Sequence, residues 1–396
     1  MTSASPFTET TGPARRAAFD ELAAGGPAQK ITLFTGVPAW LITGYAEVRQ
    51  VLLDPNVVKS VNETPHRDHV PDWLRAAMNT HMLSSNPPQH TRLRKLVTAA
   101  FTRRRVEGLE ARITEISDEL LAALPRDGSP VDLVESYSYP LPITVISELL
   151  GVPLDQREKF RELTTVALSG PVYSPQEYIA ASSEMVAQIR SMIEAKRAQP
   201  ANDLLTGLIE AHDGGDSLTE DELTSMVFLL VAAGHQTTVN LITLAAYTLL
   251  THPEQLAKLR ADPTLVPRAV EEVLRYEPPT MVAIPSQTAG PVQVGDVTIP
   301  AGEVVVPVLW SANNDPARFE RPDEFDITRA DIAHVGFGHG IHHCLGAPLA
   351  RLEAQVALRH LITRLPELRL AEPAHDVERN VSLLLNGFGR LLVETT

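Results

Sequence analysis

The decisive stretch of this sequence is Phe337-Gly338-His339-Gly340-Ile341-His342-His343-Cys344-Leu345-Gly346. It contains Cys344, the only cysteine among 396 residues, so no internal disulfide can form. The glycines allow the backbone to turn tightly and to lie against a flat ligand. An amphipathic helix is predicted just after the cysteine, and its N-terminal amides and dipole favour a thiolate over a thiol. An anionic sulfur in such a loop is what a haem iron needs as an axial ligand.

Two other interpretations of the cysteine are open. A lone cysteine is commonly a small buried hydrophobic residue. A zinc site is the second alternative, because His339, His342 and His343 lie close to Cys344. Adjacent ligands point in divergent directions, however, and zinc sites usually separate pairs of ligands by two to four residues. No second cluster of ligands is visible, so the haem interpretation is favoured.

The composition excludes several classes of protein. Hydrophobic residues make up 44% and charged residues 21%, which is ordinary for a folded, soluble protein. A net charge of −15, from 34 basic and 49 acidic residues, argues against nucleic-acid binding. The N-terminal residues have no apolar segment of signal-peptide length. We therefore expect a cytoplasmic protein that binds neither nucleic acid nor membrane, and we expect a monomer.

The stretch from Met226 to Leu250 needs a membrane test, since it lacks Asp, Glu, Lys and Arg. Its centre carries the polar residues from His235 to Thr238 and then Asn240, where lipid would be driest. We therefore predict a long helix buried in a soluble protein, with a polar centre that faces something polar. Thr219 and Glu222 form a capping box at its start, and His252-Pro253 closes it after about 31 residues.

Hydrophobic periodicity predicts a mainly α protein with small β-sheets, of the α+β class, in a single domain over 1–396. Strands are predicted at 30–37, 39–42, 292–294, 297–299 and 304–310, which places the smaller β-rich regions near the N-terminus and within 280–310. Predicted helices cover 46–53, 106–124, 140–151, 154–169, 176–198, 202–211 and 267–276.

The motif Phe337-x-x-Gly340-x-x-x-Cys344-x-Gly346 resembles the cysteine-ligand loop of the cytochrome P450 family. Its continuation, Ala347-Pro348-Leu349-Ala350-Arg351, looks like that of the soluble bacterial members. The resemblance implies the P450 fold, with the long central helix over haem b. It also implies that Cys344 supplies the axial thiolate to iron, that Phe337 packs beside it, and that His342 contacts a haem propionate.

Two further motifs match the family in the expected order along the chain. Glu272-Val273-Leu274-Arg275 resembles the ExxR motif, in which the buried pair joins an arginine that here corresponds to Arg329. These three residues would be structural, although by spacing alone Glu272 and Arg275 are equally an ordinary solvated helix pair. His90 and Arg94 stand at i and i+4, and the resemblance implies that both bind haem propionates.

The segment Ala233-Gly234-His235-Gln236-Thr237-Thr238 resembles the oxygen-binding part of the family's long helix. The resemblance implies that Gly234, beside Ala233, leaves room over the haem. It also implies that the hydroxyl of Thr237 helps to protonate bound dioxygen. Gln236 departs from the pattern, because the family usually has Asp or Glu there, and this puts the route of proton delivery in question.

A second departure concerns haem anchoring. Many members carry a propionate-binding arginine after the ExxR helix, whereas this chain has no arginine between Arg275 and Arg318. Ser286 lies near the corresponding position. The difference removes one ion pair to the haem but leaves His90, Arg94 and His342 for this role.

The resemblance implies a monooxygenase that inserts one atom of dioxygen into an apolar small molecule of macrolide, other polyketide, terpenoid or steroid type. The two electrons must come from outside the chain, since no flavin or nicotinamide motif is visible, and the resemblance implies a ferredoxin and its reductase as their source. Alternatives are a peroxide-driven or non-redox haem-thiolate enzyme and a non-catalytic haem- or metal-binding protein. By position, the apolar pocket is expected to include Leu229, Ala232, Ala233, Met281, Val282, Ala283, Leu384 and Leu385.

Two surface features complete the expectations. A lid is expected from 61–85 and 166–178, with polar residues that recognise substrate oxygens, namely His66, Arg67, His69 and Asp72. A local basic cluster in this acidic chain is expected to dock the electron donor, and it consists of Arg92, Lys95, Arg103, Arg104 and Arg105.

Overall fold

The computed structural model describes residues 5–59, 68–101, 103–125, 127–152, 157–168, 173–213 and 218–395. About 54% of the chain is helical and the sheets are small. The predicted mainly α class with minor β-sheet is therefore confirmed.

The helices are numbered along the chain as α1 (Gly12–Ala24), α2 (Tyr45–Leu53), α3 (Asp72–Asn79), α4 (Gln89–Ala100), α5 (Arg103–Glu107), α6 (Glu110–Ala122), α7 (Pro140–Leu150), α8 (Arg157–Leu168), α9 (Pro175–Ala198), α10 (Leu204–Asp213), α11 (Glu220–Leu250), α12 (Pro253–Ala261), α13 (Val266–Tyr276), α14 (Leu309–Asn313) and α15 (Ala347–Arg364). The strands are β1 (Ala28–Thr32), β2 (Pro38–Ile42), β3 (Val57–Val58), β4 (Val131–Asp132), β5 (Ser286–Thr288), β6 (Val292–Val294), β7 (Val297–Ile299), β8 (Val304–Pro307), β9 (Arg369–Leu370) and β10 (Leu392–Glu394).

The chain groups into two compact units. One, here the sheet unit, comprises Met1–Val58, Glu110–Leu141 and Thr237–Thr396. The other, here the helical unit, comprises Lys59–Leu109 and Pro142–Gln236. The boundary falls inside the continuous helix α11. That the chain forms a single domain stays a prediction.

All the strands described belong to the sheet unit. The largest sheet has the order β1-β2-β8-β5-β3, and β2 pairs with β8 in parallel while the other pairs are antiparallel. The two β-rich regions predicted from the sequence, at the N-terminus and within 280–310, thus meet in one sheet. Strands β6 and β7 form the predicted hairpin, which turns at Gly295 with a φ of 53°.

Helix α11 begins where the capping box predicts. The backbone N–H of Glu222 donates to Oγ1 of Thr219 at 3.2 Å, and the Thr219 N–H donates to the Glu222 carboxylate at 2.9 Å. These bonds satisfy two amides at the helix start. Among the described residues, α11 alone is long and apolar enough to cross a membrane, yet 72% of its most apolar window is buried inside the protein.

Three predicted elements differ from the structure. The helix predicted at 106–124 is two helices, α5 and α6, which meet at Gly108 and Leu109; glycine is a poor helix former. The strand predicted at 304–310 ends at Pro307 and continues as helix α14, because a short apolar run does not distinguish a strand from a buried helix. The first predicted strand, 30–37, is displaced to 28–32.

Candidate active site

The cysteine loop is a sequence of tight turns in the sheet unit. Gly338 and Gly340 have φ values of 71° and 72°, which side-chain-bearing residues rarely adopt. The N–H of Cys344 donates to the carbonyl of Phe337 at 2.9 Å and closes the loop. The thiol-bearing residue is exposed, so the interpretation of Cys344 as a buried hydrophobic residue finds no support.

Close packing also demands glycine in this loop. A Cβ at Gly340 would lie 2.8 Å from the carbonyl oxygen of Leu52, and one at Gly336 would lie 2.8 Å from that of Leu274. Gly346 caps helix α15, which begins at the next residue. Cys344 therefore lies just before a helix N-terminus, where the dipole stabilises negative charge.

The ExxR pair is buried rather than solvated. The side chains of Glu272 and Arg275 are 0% exposed, and Nε and Nη2 of Arg275 donate to the two carboxylate oxygens of Glu272 at 2.8 Å each. Arg329 donates from Nε to the same carboxylate at 3.2 Å. The structure thus brings together the three residues predicted to act as a structural cluster.

The remaining donors of the two arginines bind backbone carbonyls. Arg275 donates to Asn313, Pro322 and Glu324 at 2.9–3.1 Å. Arg329 donates to Glu320, Arg321 and Glu324 at 2.6–3.0 Å. The coil between α14 and the cysteine loop is therefore attached to α13 through guanidinium groups.

Asn313 is a site residue that the sequence analysis missed. It is fully buried, and its side-chain oxygen accepts a hydrogen bond from the N–H of Val335 at 2.7 Å, while its amide donates to the carbonyl of Leu274 at 3.2 Å. Asn313 thereby links the ExxR helix to the coil that leads into the cysteine loop. The only available signal was an asparagine at the end of a strongly apolar run.

Glu271 is a second residue that the sequence analysis missed. Its carboxylate accepts two hydrogen bonds from Arg351, at 2.6 and 2.9 Å, and contacts Nε2 of His334 at 3.1 Å. Burial alone would raise the pKa of Glu271, but the bonds to His334 and Arg351 outweigh it and lower the pKa to about 2. The Arg351 guanidinium also lies 4.5 Å from the centre of the Phe337 ring. This network supports Phe337 at the base of the cysteine loop.

The centre of helix α11 differs from the rest of the helix. Ala233 is exposed although the helix around it is mostly buried. His235 is buried, and its Nδ1 donates to the carbonyl of Val231 at 2.8 Å. Oε1 of Gln236 is buried and finds no hydrogen-bond donor among the described residues. A buried amide oxygen of this kind needs water or a ligand as its partner.

Gly234 has a neighbour that the sequence did not predict. A Cβ at this position would lie 3.1 Å from two side-chain carbons of Ile146 on helix α7. The absent side chain thus allows α7 to approach α11 closely. Ala233, the preceding residue, is exposed, and Gly234 is partly exposed.

His90 and Arg94 lie one turn apart on α4 in the helical unit, as their spacing predicts. His90 is 2% exposed, and its backbone N–H donates to the backbone carbonyl of Asn86 at 2.8 Å. Arg92, from the predicted basic cluster, forms an ion pair with Glu222. Part of the charge of that cluster is therefore neutralised within the protein.

The predicted pocket residues fall into two groups. Leu229, Ala232, Met281 and Val282 are buried, and Met281 and Val282 pack in a core cluster with Phe7 and Phe19. Ala283, Leu384 and Leu385 are half-buried. The second group is therefore partly accessible to a ligand, whereas the first group is buried.

Several predicted features lie wholly or partly outside the described residues. They include His66 and Arg67 of the lid, and the side chains of Arg103 and Arg104. His69 and Asp72, also from the predicted lid, are exposed.

The residues fit haem better than a metal ion held by side chains alone. In the part of the chain that the structure describes, no three His, Cys, Asp or Glu side chains converge on a metal site, so the zinc interpretation finds no support. An exposed cysteine before a helix N-terminus is a suitable thiolate ligand. The open surface at Ala233 and the buried oxygen of Gln236 suit a flat ligand with polar groups and water beside it.

Comparison with known proteins agrees with this geometry. A family model described as Cytochrome P450 matches residues 173–368. Cytochrome P450 107B1 from Saccharopolyspora erythraea is 49% identical over 374 residues, which cover 93% of this chain and 92% of the relative. The 6-deoxyerythronolide B hydroxylase of the same organism is 42% identical over 373 residues and covers 91% of each chain. The tirandamycin C-bound P450 monooxygenase TamI superimposes with a TM-score of 0.88 at 43% identity, with 98% of each chain covered.

Identity at this level over nearly the whole length of each relative shows common descent and a common fold. Members of the family use haem b with an axial cysteine thiolate, and take dioxygen and electrons from redox partners. The chain belongs to the cytochrome P450 family and is a haem-thiolate monooxygenase.

Proposed function

We propose that this enzyme hydroxylates or epoxidises an apolar small molecule of the polyketide class, macrolides included. The observation that carries the oxidative function is the exposed, sole cysteine in a loop held by the buried cluster of Glu272, Arg275 and Arg329. The polyketide class is supported by the 6-deoxyerythronolide B hydroxylase and the tirandamycin C-bound enzyme among the relatives. Terpenoids and steroids are the competing classes in the substrate screen below.

Cys344 supplies the thiolate to the haem iron in this proposal. Bound haem supplies the activation of dioxygen, which the thiolate assists by donating electron density. His342, His90 and Arg94 hold the propionates through charge-assisted hydrogen bonds. Phe337, Gly340 and Gly346 shape the loop: Gly340 permits a turn with a positive φ, Gly346 caps helix α15, and Phe337 packs against Arg351.

Glu272, Arg275 and Arg329 keep the cysteine in position and do not touch the reacting atoms. Their hydrogen bonds attach the coil to helix α13, and Asn313 extends this attachment to Val335. The thiolate is thereby preorganised, so haem binding does not have to order the loop.

Proton delivery depends on the hydroxyl of Thr237 and on the amide of Gln236. A glutamine amide cannot release a proton at neutral pH, whereas its oxygen can accept a hydrogen bond from water. The buried Oε1 of Gln236 is suited to orient such a water molecule. Nδ1 of His235 is bound to a carbonyl and therefore carries a proton, which holds the ring in one orientation.

The substrate pocket in this proposal is apolar. The residues proposed for it are all apolar, namely Leu229, Ala232, Met281, Val282, Ala283, Leu384 and Leu385. Binding is driven mainly by burial of apolar surface, and a few polar groups fix the orientation. Ala233 provides the open surface on the helix.

We further propose a cytoplasmic monomer that receives electrons from a ferredoxin and its reductase. The donor docks near the start of α4, on the basic cluster defined above. Arg92 of this cluster is paired with Glu222. Reduction by an acidic ferredoxin should slow as salt rises, since the Debye length is about 8 Å at physiological ionic strength.

Replacement of the ligand tests the function directly. Cys344→Ser is expected to lose the thiolate-type spectrum of the reduced carbonyl complex and all monooxygenase activity, because no other thiol exists in the chain. A wild-type spectrum in this variant would falsify the assignment. Difference spectra with macrolides, linear polyketides, terpenoids and steroids then identify the substrate class, and turnover with ferredoxin, reductase and NAD(P)H distinguishes a catalyst from a haem-binding protein.

Charge reversal of Arg103, Arg104 and Arg105 tests the docking proposal. Reduction by ferredoxin should slow in the variant and lose its dependence on salt, while the reduced carbonyl spectrum stays unchanged. Reduction that is independent of salt and equal in both proteins rules out this surface.

A further inference from the structure

A buried arginine near the N-terminus contacts the C-terminal part of the chain. Arg15 on helix α1 is 2% exposed. Its guanidinium donates to the carbonyl of Glu9 at 2.6 and 2.9 Å, to the carbonyl of Asn380 at 2.8 Å, and to the side-chain oxygen of Asn386 at 3.2 Å. Two of its three partners thus lie more than 360 residues away along the chain.

Asn386 uses its whole hydrogen-bonding capacity. Its oxygen accepts from Arg15 and, at 2.9 Å, from Arg379. Its amide donates to the carboxylate of Glu277 at 2.9 Å and to the carbonyl of Pro278 at 3.2 Å. The side chain is fully buried, so each of these bonds is protected from water.

Arg15 contacts both sides of one turn, residues 382–387, here the substrate turn. Asn380 precedes this turn and Asn386 lies within it, and the N–H of Asn380 donates to the carbonyl of Gly387 at 3.0 Å. The turn carries Leu384 and Leu385, which the proposed function places at the substrate. Ser382 stabilises the turn from within, because the Ser382 hydroxyl accepts hydrogen bonds from the backbone N–H groups of Leu384 and Leu385 at 3.2 and 3.0 Å.

The N-terminal backbone supports the same region. The N–H of Arg379 donates to the carbonyl of Thr10 at 2.7 Å, and the N–H of Ser382 donates to that of Phe7 at 3.1 Å. Leu384 packs on the core cluster that contains Phe7 and Phe19. The N-terminal segment is therefore a direct support of the substrate turn.

The turn also packs closely against helix α11. A Cβ at Gly387 would overlap the side-chain amide of Asn240, so a side chain at this position would require Asn240 to shift. Asn240 lies three residues beyond Thr237, on the same face of the helix. A shift of the turn would therefore have to displace either this contact or the bonds to Arg15.

The charges make the cluster sensitive to the loss of one member. Arg15 and Arg379 are buried beside a single buried carboxylate, that of Glu277. Burial lowers the pKa of Arg15 to about 10, with a further lowering from Arg379, so the guanidinium remains charged at neutral pH. A buried cation without its hydrogen-bond acceptors would be strongly unfavourable, which keeps Arg15 in a single position.

We propose that Arg15 is a positioning residue that determines where Leu384 and Leu385 stand, and that the N-terminal segment thereby helps to select the shape of the substrate. This inference rests on the proposed function, which puts the two leucines at the pocket. Arg15 itself touches neither substrate nor haem; it acts through Asn380 and Asn386.

Arg16 provides a matched control. It is the next residue of the same helix, and its guanidinium lies 4.3 Å from the ring centre of Tyr276 and 4.8 Å from that of Trp310. It also reaches Glu277 at 3.7 Å and Asn314 at 3.4 Å, and in the described part of the chain its side chain makes no hydrogen bond or ion pair to residues 380–387. Loss of Arg16 therefore perturbs the neighbourhood without releasing the turn.

The test uses two probes that differ only in the part that reaches the pocket wall. Imidazole and clotrimazole both offer an imidazole nitrogen to ferric haem, and clotrimazole adds a bulky triaryl group. Their dissociation constants are measured by Soret titration of the haem-loaded, full-length enzyme. Wild type is compared with Arg15→Met, Arg15→Lys, Asn386→Leu and Arg16→Met.

We expect Arg15→Met and Asn386→Leu to weaken clotrimazole about tenfold, or about 1.4 kcal/mol, while imidazole binds as in wild type. Arg16→Met should leave both constants within about twofold. If Arg15 and Asn386 had a purely structural role, their replacement would lower the melting temperature without changing the ratio of the dissociation constants for clotrimazole and imidazole. If Arg15→Met fails to fold, Arg15→Lys, which keeps the charge but has fewer donors, decides the question in the same way.

The inference is overturned if the folded Arg15 and Asn386 variants keep the wild-type ratio of the clotrimazole and imidazole dissociation constants. It is also overturned if Arg16→Met changes this ratio as much as Arg15→Met does. Failure of the proposed function is distinguishable, because wild type would then show no Soret shift with imidazole.

Discussion

Two buried ion clusters flank the end of helix α13, and they differ in what they hold. In the first, Glu272 binds Arg275 and Arg329 and attaches the coil that leads to the cysteine loop. In the second, Glu277, the residue just after the helix, binds Arg379 and Asn386 and attaches the substrate turn. One helix end thus positions both the coil that leads to the cysteine loop and a wall of the proposed pocket.

The difference lies in where the partners come from. Glu272 and Arg275 are three residues apart on one helix face, and Arg329 lies in the coil after α14, 57 residues beyond Glu272. The second cluster draws Arg15 from the first helix, Glu277 from the middle and Asn386 from the last residues. The cluster near the cysteine loop thus joins segments up to 57 residues apart, whereas the one at the proposed pocket joins segments up to 371 residues apart. The predictions below test this separation of roles.

The largest effect is expected from Arg275→Ala. Its loss leaves the Glu272 carboxylate buried with fewer partners and leaves the carbonyls of Asn313, Pro322 and Glu324 without a donor. Removing one partner of a buried ion pair destabilises a protein by about 3–5 kcal/mol. Urea denaturation and haem content by pyridine haemochrome should both show the loss.

Arg321→Ala is the control for this variant, because Arg321 forms an exposed pair with Glu324. Exposed pairs contribute about 0–1 kcal/mol, so its haem content should match that of wild type. Wild-type stability in Arg275→Ala would show that the first cluster does not hold the coil.

A smaller effect is expected from Glu277→Gln in the second cluster. Burial would raise the pKa of Glu277, but Arg379 and Arg16 outweigh it and lower the pKa, so the carboxylate is charged at neutral pH. Exchange for the neutral amide should remove about 2 kcal/mol of stability, the usual range for hydrogen bonds to a charged group. The variant should still bind haem with a normal reduced carbonyl spectrum. Haem loss as severe as in Arg275→Ala would erase the distinction between the two clusters.

The network of Glu271 predicts a pH dependence on the cysteine side. Since its pKa is lowered to about 2 from an ordinary value of about 4.3, its contribution is present above about pH 4.3 and is lost as pH falls through about 2. Glu271→Gln should therefore be less stable than wild type by about 1–2 kcal/mol at pH 7, with allowance for partial exposure.

Urea unfolding of both proteins between pH 7 and pH 3 checks this. The difference in free energy of unfolding should shrink as the pH falls below about 4.3. Glu115→Gln, which changes an exposed carboxylate paired with Arg112, is the control and should show little difference at any pH. If the difference in free energy of unfolding between wild type and Glu271→Gln stays constant from pH 7 to pH 3, the charge of Glu271 does not stabilise the protein.

The smallest structural change with a chemical effect is Gln236→Glu. A carboxylate of the same length can exchange a proton at neutral pH, so a larger share of NAD(P)H should end in product and less in hydrogen peroxide. The ratio of product formed to NAD(P)H consumed should rise by less than about tenfold, because water and Thr237 already carry the proton. Thr237→Ala should sharply lower the ratio of product formed to NAD(P)H consumed. Product, peroxide and NAD(P)H are measured together for the three proteins, and an unaffected Thr237→Ala beside an unimproved Gln236→Glu would exclude this helix from proton delivery.

The sequence by itself was sufficient for the elements whose signals are local. The glycine-rich loop around Cys344, the ExxR spacing and the capping box at Thr219 each lie within about ten residues, and regular backbone geometry places such residues together. The length of α11 followed from its cap and its apolar run. Short apolar segments such as 304–310 were less certain, because strand and buried helix share the same composition there.

Only the tertiary structure decided the contacts that join distant segments. Asn313, the pair of Glu271 with Arg351, and the cluster of Arg15 with Asn386 have no periodic signal, because their partners are separated by 22, 80 and 371 residues. The same holds for Gly234, whose neighbour Ile146 belongs to another helix. Hydrogen bonds depend on distance and angle in space, and spacing along the chain constrains these only within a single turn or helix.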